Sequence, residues 1–210
     1  MARGLTTSFD MPSVYITGPE GIEAVSNTRI IQRGDFMMTD WGLGYLNMFT
    51  DVKRVAYVLK AGETAAPQGL VDAYSKALTI RDILRKNILP GRTAAATYDI
   101  LNSKVEEAGF VIMEEFNKPS GGDAMDVIIG SHSVGNLGHG IGPSIAFFNP
   151  RRLQFEIKPN NLFSIEYFVY VPLPEWDGAK VRIPIEDDGI VTARGVEWLY
   201  PVARRILIIK

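Results

Sequence analysis

A carboxylate inside an apolar strand constrains this chain more than any other feature. Residues 162–169 read Leu-Phe-Ser-Ile-Glu-Tyr-Phe-Val, with Glu166 in their midst. A run of that composition belongs in a core. Burying an ionised carboxylate costs several kcal/mol unless a cation or hydrogen-bond donors meet it. The fold must therefore bring something positive to Glu166. Three more acids pose the same problem. Asp40 ends the apolar stretch 35–40, and Asp51 and Glu186 lie on or beside comparably apolar segments.

Composition bounds the remaining possibilities. The 210 residues are 46% hydrophobic and 22% charged, as expected of one globular domain spanning 1–210 with a real core. The formal net charge of −2 supplies no basic field for nucleic acid or an anionic membrane. Cysteine is absent, which excludes disulfides and thiolate metal sites and agrees with a reducing compartment. No apolar run approaches the roughly 20 residues that cross a bilayer. Residues 1–10 lack a signal-peptide core, so a cytoplasmic location is expected.

Periodicity outlines the elements. Residues 6–17 read as extended, with Val14, Tyr15 and Ile16 favouring strand, and 18–21 as a turn. Strands at 35–40 and 49–59, reversed through Gly42 and Gly44, predict a long hairpin. Val71, Ala77, Leu78, Ile80 and Leu84 recur at helical spacing up to Ile88, and Pro90-Gly91 ends that helix. Thr93 or Thr97 caps a second helix that runs to Ala108-Gly109. Residues 118–123 form a loop. Further strands are predicted near 144–148, 162–171, 180–185 and 189–193. This β–αα–β order indicates an α+β fold.

Taken singly, each polar residue has an ordinary reading. An aspartate at a strand end meets solvent, and a strand glutamate points outward. His132 reads as a loop histidine near the site. Together they suggest more. Asp40 and Asp51 occupy the two arms of one hairpin and can face one point. Gly138-His139-Gly140-Ile141-Gly142 lets backbone approach closely around one imidazole. Glu166 and Glu186 follow on separate strands. The candidate ligands are thus Asp40, Asp51, His139, Glu166 and Glu186. Oxygen-rich ligation with one histidine suits two divalent ions such as Mn, Co, Fe or Zn.

These residues resemble a known family. The stretch 31–42, containing Gly34-Asp35-Phe36 and Asp40-Trp41-Gly42, is similar to a Gly-Asp-apolar-Asp-Phe-Gly segment. Asp51 follows at the expected interval, 51 − 40 = 11, and Asp51-Val52-Lys53-Arg54 resembles Asp-Ile-Thr-Arg. Residues 137–142 resemble Gly-His-Gly-x-Gly, 157–166 resemble Pro-Gly-Met-x-apolar-Glu, and 185–192 resemble Ile-Glu-Asp-x-x-x-Val-Thr. The family is that of methionine aminopeptidase, aminopeptidase P, prolidase and creatinase. The resemblance implies the pita-bread fold, a curved antiparallel sheet with helices on one face. It also implies two metals held by both aspartates, His139 and Glu166, with Glu186 bridging. Ions roughly 3.5–4 Å apart would share a hydroxide that attacks a peptide carbonyl. Glu166, Glu186 and Arg182 are the expected catalytic residues.

The likeness has gaps. A histidine expected shortly before the Gly-Asp segment aligns with Glu23. A second, seven residues after the metal histidine, aligns with Ala146, since 139 + 7 = 146. An arginine expected two before the last glutamate aligns with Pro184, and Arg182 on the same strand face is its substitute. The first helix pair of the family's domain has no counterpart here. That predicts an uncovered sheet face, to be met by a second copy of the chain or an upstream segment.

The leading expectation is an Xaa-Pro aminopeptidase- or dipeptidase-like hydrolase of short peptides. A divergent metal enzyme on another small molecule is a second reading, with Trp41, Phe147, Phe148 and Trp176 as pocket candidates. A non-catalytic binding module is a third.

Overall fold

Alternating apolar and polar residues over the first quarter of the chain build an antiparallel sheet with one face turned to the core. The computed structural model describes residues 5–9, 13–135 and 140–210. In this amino-terminal sheet the order is Leu207–Ile209, Val52–Val58, Phe36–Trp41, Ser13–Gly18, Gly21–Ala24. Leu207–Ile209 is the one parallel addition. Register pairs Met38 with Val55 and Asp40 with Lys53. The predicted hairpin is therefore correct, and its cross-strand pairing sets a carboxylate beside an ammonium.

The carboxy-terminal half forms two four-stranded sheets whose strands alternate along the chain. One has the order Lys180–Ile185, Tyr167–Pro172, Met125–Ile129, Phe110–Ile112. The other has His132–Ser133, Leu162–Ser164, Asp188–Thr192, Gly195–Trp198. The chain crosses between them three times, at Gly130-Ser131, Ile165-Glu166 and Glu186-Asp187. Each crossing is a break in the ladder, held by its neighbours. Gly130 N–H donates to the Glu166 carbonyl at 3.0 Å, and Ile165 N–H donates to that of Asp187 at 2.9 Å. Lys53 N–H donates to the Glu186 carbonyl at 3.2 Å, tying in the amino-terminal sheet. Such breaks re-aim side chains. The run expected as one strand, 162–171, is two strands for this reason.

Two helices cover the core. Helix α1 (Gln68–Asn87) buries Leu70, Ala73, Tyr74, Ala77, Ile80 and Leu84, which share one stripe at helical spacing. Helix α2 (Ala94–Glu107) starts at Thr93, whose Oγ1 accepts from Ala96 N–H at 3.1 Å. It buries Leu101 and Val105. The Tyr167 hydroxyl donates to the Ala77 carbonyl at 2.9 Å, pinning α1 to the strand beside Glu166. The far face of the amino-terminal sheet carries a small separate cluster of Ile16, Met37 and Val58. Among the described residues no helix precedes Ser13–Gly18, and none is long and apolar enough to cross a membrane.

The expected strand at 144–148 is not formed. Ser144 makes a single bridge to His132, and residues 147–149 turn into the short helix Pro150–Leu153. Aromatic packing explains the departure. Phe147 and Phe148 turn to meet Phe116, with ring centroids 5.8 and 5.1 Å away. The strands Phe110–Ile112, Met125–Ile129 and Gly195–Trp198 had no prediction, being short and next to glycines or loops.

Leu84 is fully buried in the main core. Leu84→Ala should destabilise the fold by about 2–5 kcal/mol, read from the midpoint of urea denaturation.

A candidate metal centre with a lysine inside it

The three chain crossings and the end of the hairpin converge on one polar cluster. Asp40, Asp51, Glu166 and Glu186, all expected at the site, come together there. The residue at their centre was not expected. Lys53 extends from its strand so that Nζ lies 3.0 Å from Asp40 Oδ2, 2.7 Å from Glu166 Oε1 and 2.5 Å from Glu186 Oε2. The sequence held a signal for it. Lys53 is two residues from Asp51, hence on the same strand face, where the resembled motif has threonine.

His132 closes the other side. It is buried, and its Nε2 lies 3.6 Å from Asp51 Oδ2, 3.7 Å from Glu186 Oε1 and 3.8 Å from Glu166 Oε2. Its reading as a loop histidine is corrected: it stands on a strand, among the carboxylates. Gly130-Ser131-His132-Ser133-Val134-Gly135 was the overlooked signal, with glycines either side of an imidazole. His139 lies outside the described residues. The interval 139 − 132 = 7 is the one the resemblance gives to a metal histidine and its successor. Ala146, buried, then no longer marks a missing residue.

The imidazole geometry bears on what the cluster holds. Nδ1 meets the Ser133 carbonyl at 3.1 Å, and a carbonyl only accepts, so Nδ1 carries the hydrogen. In the neutral ring Nε2 then presents a lone pair to three carboxylates. The separations of 3.6–3.8 Å exceed hydrogen-bond range. They match oxygen and nitrogen ligands each about 2.0–2.2 Å from a shared divalent ion. Asp51, His132 and Glu186 offer ligand atoms all within 4.8 Å of one another. This donor set fits a metal, and the orienting carbonyl on Nδ1 is the usual outer support of such a ligand.

The two glutamates face both sides of the cluster. Glu166 sends Oε1 to Lys53 and Oε2 toward His132, and Glu186 sends Oε2 to Lys53 and Oε1 toward His132. Ser164 Oγ–H donates to Glu186 Oε1 at 2.5 Å. A Cβ on Gly130 would come within 2.9 Å of Glu166 Oε2, so glycine at the crossing gives that carboxylate its room. Behind the cluster, Asp187 pairs with Arg54 at 3.0 Å and Arg81 at 3.7 Å. Asp51 N–H donates to both Asp188 oxygens, at 3.2 and 3.3 Å.

Charge and burial compete throughout. Burial alone would lower the Lys53 pKa, but Glu166, Glu186 and Asp40 hold it well above its ordinary value. Burial pushes Glu186 well above the carboxylate range against the pull of Lys53. For Glu166 burial loses, and Lys53 with His132 keeps it below its ordinary value. Burial raises Asp51 to about 7 and Asp188 to about 8.

Arg182 lies next to the cluster. Its guanidinium lies over the Phe168 ring, 4.0 Å from the centroid. With Tyr15, Met38, Asp40, Asn117 and Phe168 it lines a cavity of about 340 Å³ that reaches Lys53 and Glu166. No described carboxylate forms an ion pair with it. Glu23 sits elsewhere, half-exposed on the edge strand Gly21–Ala24 and paired with Arg29 at 3.5 Å. Of the aromatic candidates, Phe147 and Phe148 pack around Phe116 beside Phe168. Trp41 is partly exposed at a strand end, and Trp176 packs against the main core.

Comparison with known proteins bears on the family and the fold. Residues 4–193 match metallopeptidase family M24. The chain belongs to that family. It is 24% identical over 186 residues to the Xaa-Pro dipeptidase of Pyrococcus furiosus, covering 87% of this chain and 44% of the dipeptidase. Among solved structures it resembles the X-Pro aminopeptidase of Thermotoga maritima MSB8, with a TM-score of 0.66 and 22% identity. That match covers 97% of this chain and 49% of the other. The prolidase of Pyrococcus horikoshii OT3 matches with a TM-score of 0.65 and 20% identity, over 96% and 50%. These likenesses establish the pita-bread fold of family M24. The chain spans about half the length of these relatives.

A pH dependence follows for the metal-free protein. Asp51 and Asp188 have folded pKa values above the ordinary 3.8. The folded chain thus binds more protons than the unfolded chain from there up to about pH 8, and stability falls as pH rises through that window. In EDTA the melting temperature should drop between about pH 5 and about pH 8, and Mn should reduce the drop. A melting temperature that is flat or rises with pH would contradict the assignment.

Proposed function

We propose that this chain is a metal-dependent hydrolase that cleaves short peptides near their amino terminus, with Xaa-Pro substrates the first class to test. One observation carries the reading: in a chain of family M24, Asp51, His132 and Glu186 bring buried ligand atoms within 4.8 Å of one another. The relatives named as Xaa-Pro dipeptidase and X-Pro aminopeptidase support the substrate class.

Asp51, His132 and Glu186 would hold a divalent ion. When bound, it would supply a water acidified toward neutrality and stabilise charge on the scissile carbonyl oxygen. Glu166, with Oε2 on the His132 side, would be the residue that holds and passes a proton beside the ion. Glu186 is held by Ser164 and Lys53, which fixes its orientation. Arg182 projects an unpaired guanidinium into the cavity, suited to a substrate carboxylate. Phe168 beneath it keeps that wall flat and excludes water. The single domain over 1–210 is proposed as the catalytic one.

Lys53 favours a second reading, a divergent enzyme that uses the same ion on a different small molecule. The two separate in one assay. A panel of Xaa-Pro dipeptides and tripeptides with Mn or Co should be hydrolysed by the wild type, and Asp51→Ala should lose at least about 100-fold in rate. Arg182→Met should raise KM more than it lowers kcat. Metal uptake without turnover of any peptide would sink the peptidase reading and leave the second.

A further inference from the structure

The cluster has places for two cations, and the chain itself fills one of them. Glu166 and Glu186 each divide their two oxygens between the Lys53 side and the His132 side. That is how bridging carboxylates serve a pair of adjacent ions. On the His132 side stand Asp51 and an imidazole, a set suited to a divalent metal. On the other side stand Asp40, Glu166 and Glu186, and between them is Lys53 Nζ, at 3.0, 2.7 and 2.5 Å. We infer that the Lys53 ammonium permanently occupies the second cation position, so that the centre takes up one divalent ion and not two.

Geometry supports exclusion, not mere proximity. An ammonium has three N–H groups to give; Glu166 and Glu186 each accept one, and Asp40 faces the same nitrogen as an ion pair at 3.0 Å. A divalent ion touching the same oxygens at about 2.0–2.2 Å would overlap the nitrogen. The backbone of Lys53 is fixed. Its strand is paired with Asp40 on one side, its N–H is held by the Glu186 carbonyl on the other, and its side chain is 6% exposed. The two-ion expectation from sequence had no internal cation in it.

This inference rests on the metal-hydrolase reading. Mn bound per full chain is measured by elemental analysis after equilibration and gel filtration, with electron paramagnetic resonance of the same samples. The wild type should bind one Mn and give the six-line signal of an isolated ion. Lys53→Thr, which removes the ammonium and opens its space, should bind two and show an exchange-coupled pair. Circular dichroism checks that the variant folds; if it does not, the wild-type spectrum at saturating Mn decides. Two coupled ions in the wild type would overturn the inference and leave the hydrolase reading standing. One ion in both chains would also overturn it, since something other than lysine would then exclude the second. No ion in either chain would defeat the hydrolase reading itself.

Discussion

Four carboxylates, Asp51 and Glu186 buried and Asp40 and Glu166 partly so, converge on one cluster that needs positive charge close by. Lys53 is the cation the chain provides, making 2.5–3.0 Å contacts to three of the four. An isolated buried charge would be neutralised or expelled. Here each charge is the remedy for the others, and the pKa of Lys53 is raised despite its burial. Removing one partner of such a network costs more than the pair contributes, because the survivors remain buried. The cluster is therefore a stability liability that a bound divalent ion would relieve. That trade is typical of a functional site.

The backbone is arranged to create that convergence. A regular strand would send Glu166 and its neighbours to alternating faces of one continuous sheet. Instead three strands break at one level, at Gly130-Ser131, Ile165-Glu166 and Glu186-Asp187. The breaks turn Glu166 and Glu186 toward Lys53, while Asp187, one residue on, points to Arg54 and Arg81 behind the site. Gly130 has no side chain where Glu166 needs space. Helix α1, anchored by Tyr167 to Ala77, keeps the broken strands from sliding. The candidate site thus sits at strand ends and at breaks between paired strands.

Much of this was legible from residues. Apolar context marked Glu166 and Asp40 as buried acids, and strand pairing of 35–40 with 49–59 brought Asp40 and Asp51 near one point. Helices α1 and α2 followed from their periodicity and from Pro90, Thr93 and Gly109. Other features were hidden for physical reasons. His132 lies on a two-residue strand, too short to show alternation, whereas the glycines around His139 drew the eye. For Lys53 the motif departure at position 53 was a local signal, but its contact with Asp40 depends on a cross-strand register that local pattern does not fix. The break within 162–171 was invisible for the same reason: tertiary contacts to Gly130 and Asp187 impose it.

If one internal ammonium and one metal ion share this carboxylate cage, anomalous diffraction at the manganese edge from Mn-soaked crystals should show a single strong peak among Asp51, His132 and Glu186, with the Lys53 side chain in density between Asp40, Glu166 and Glu186. Two peaks bridged by the glutamates, with Lys53 turned away from them, would rule that arrangement out.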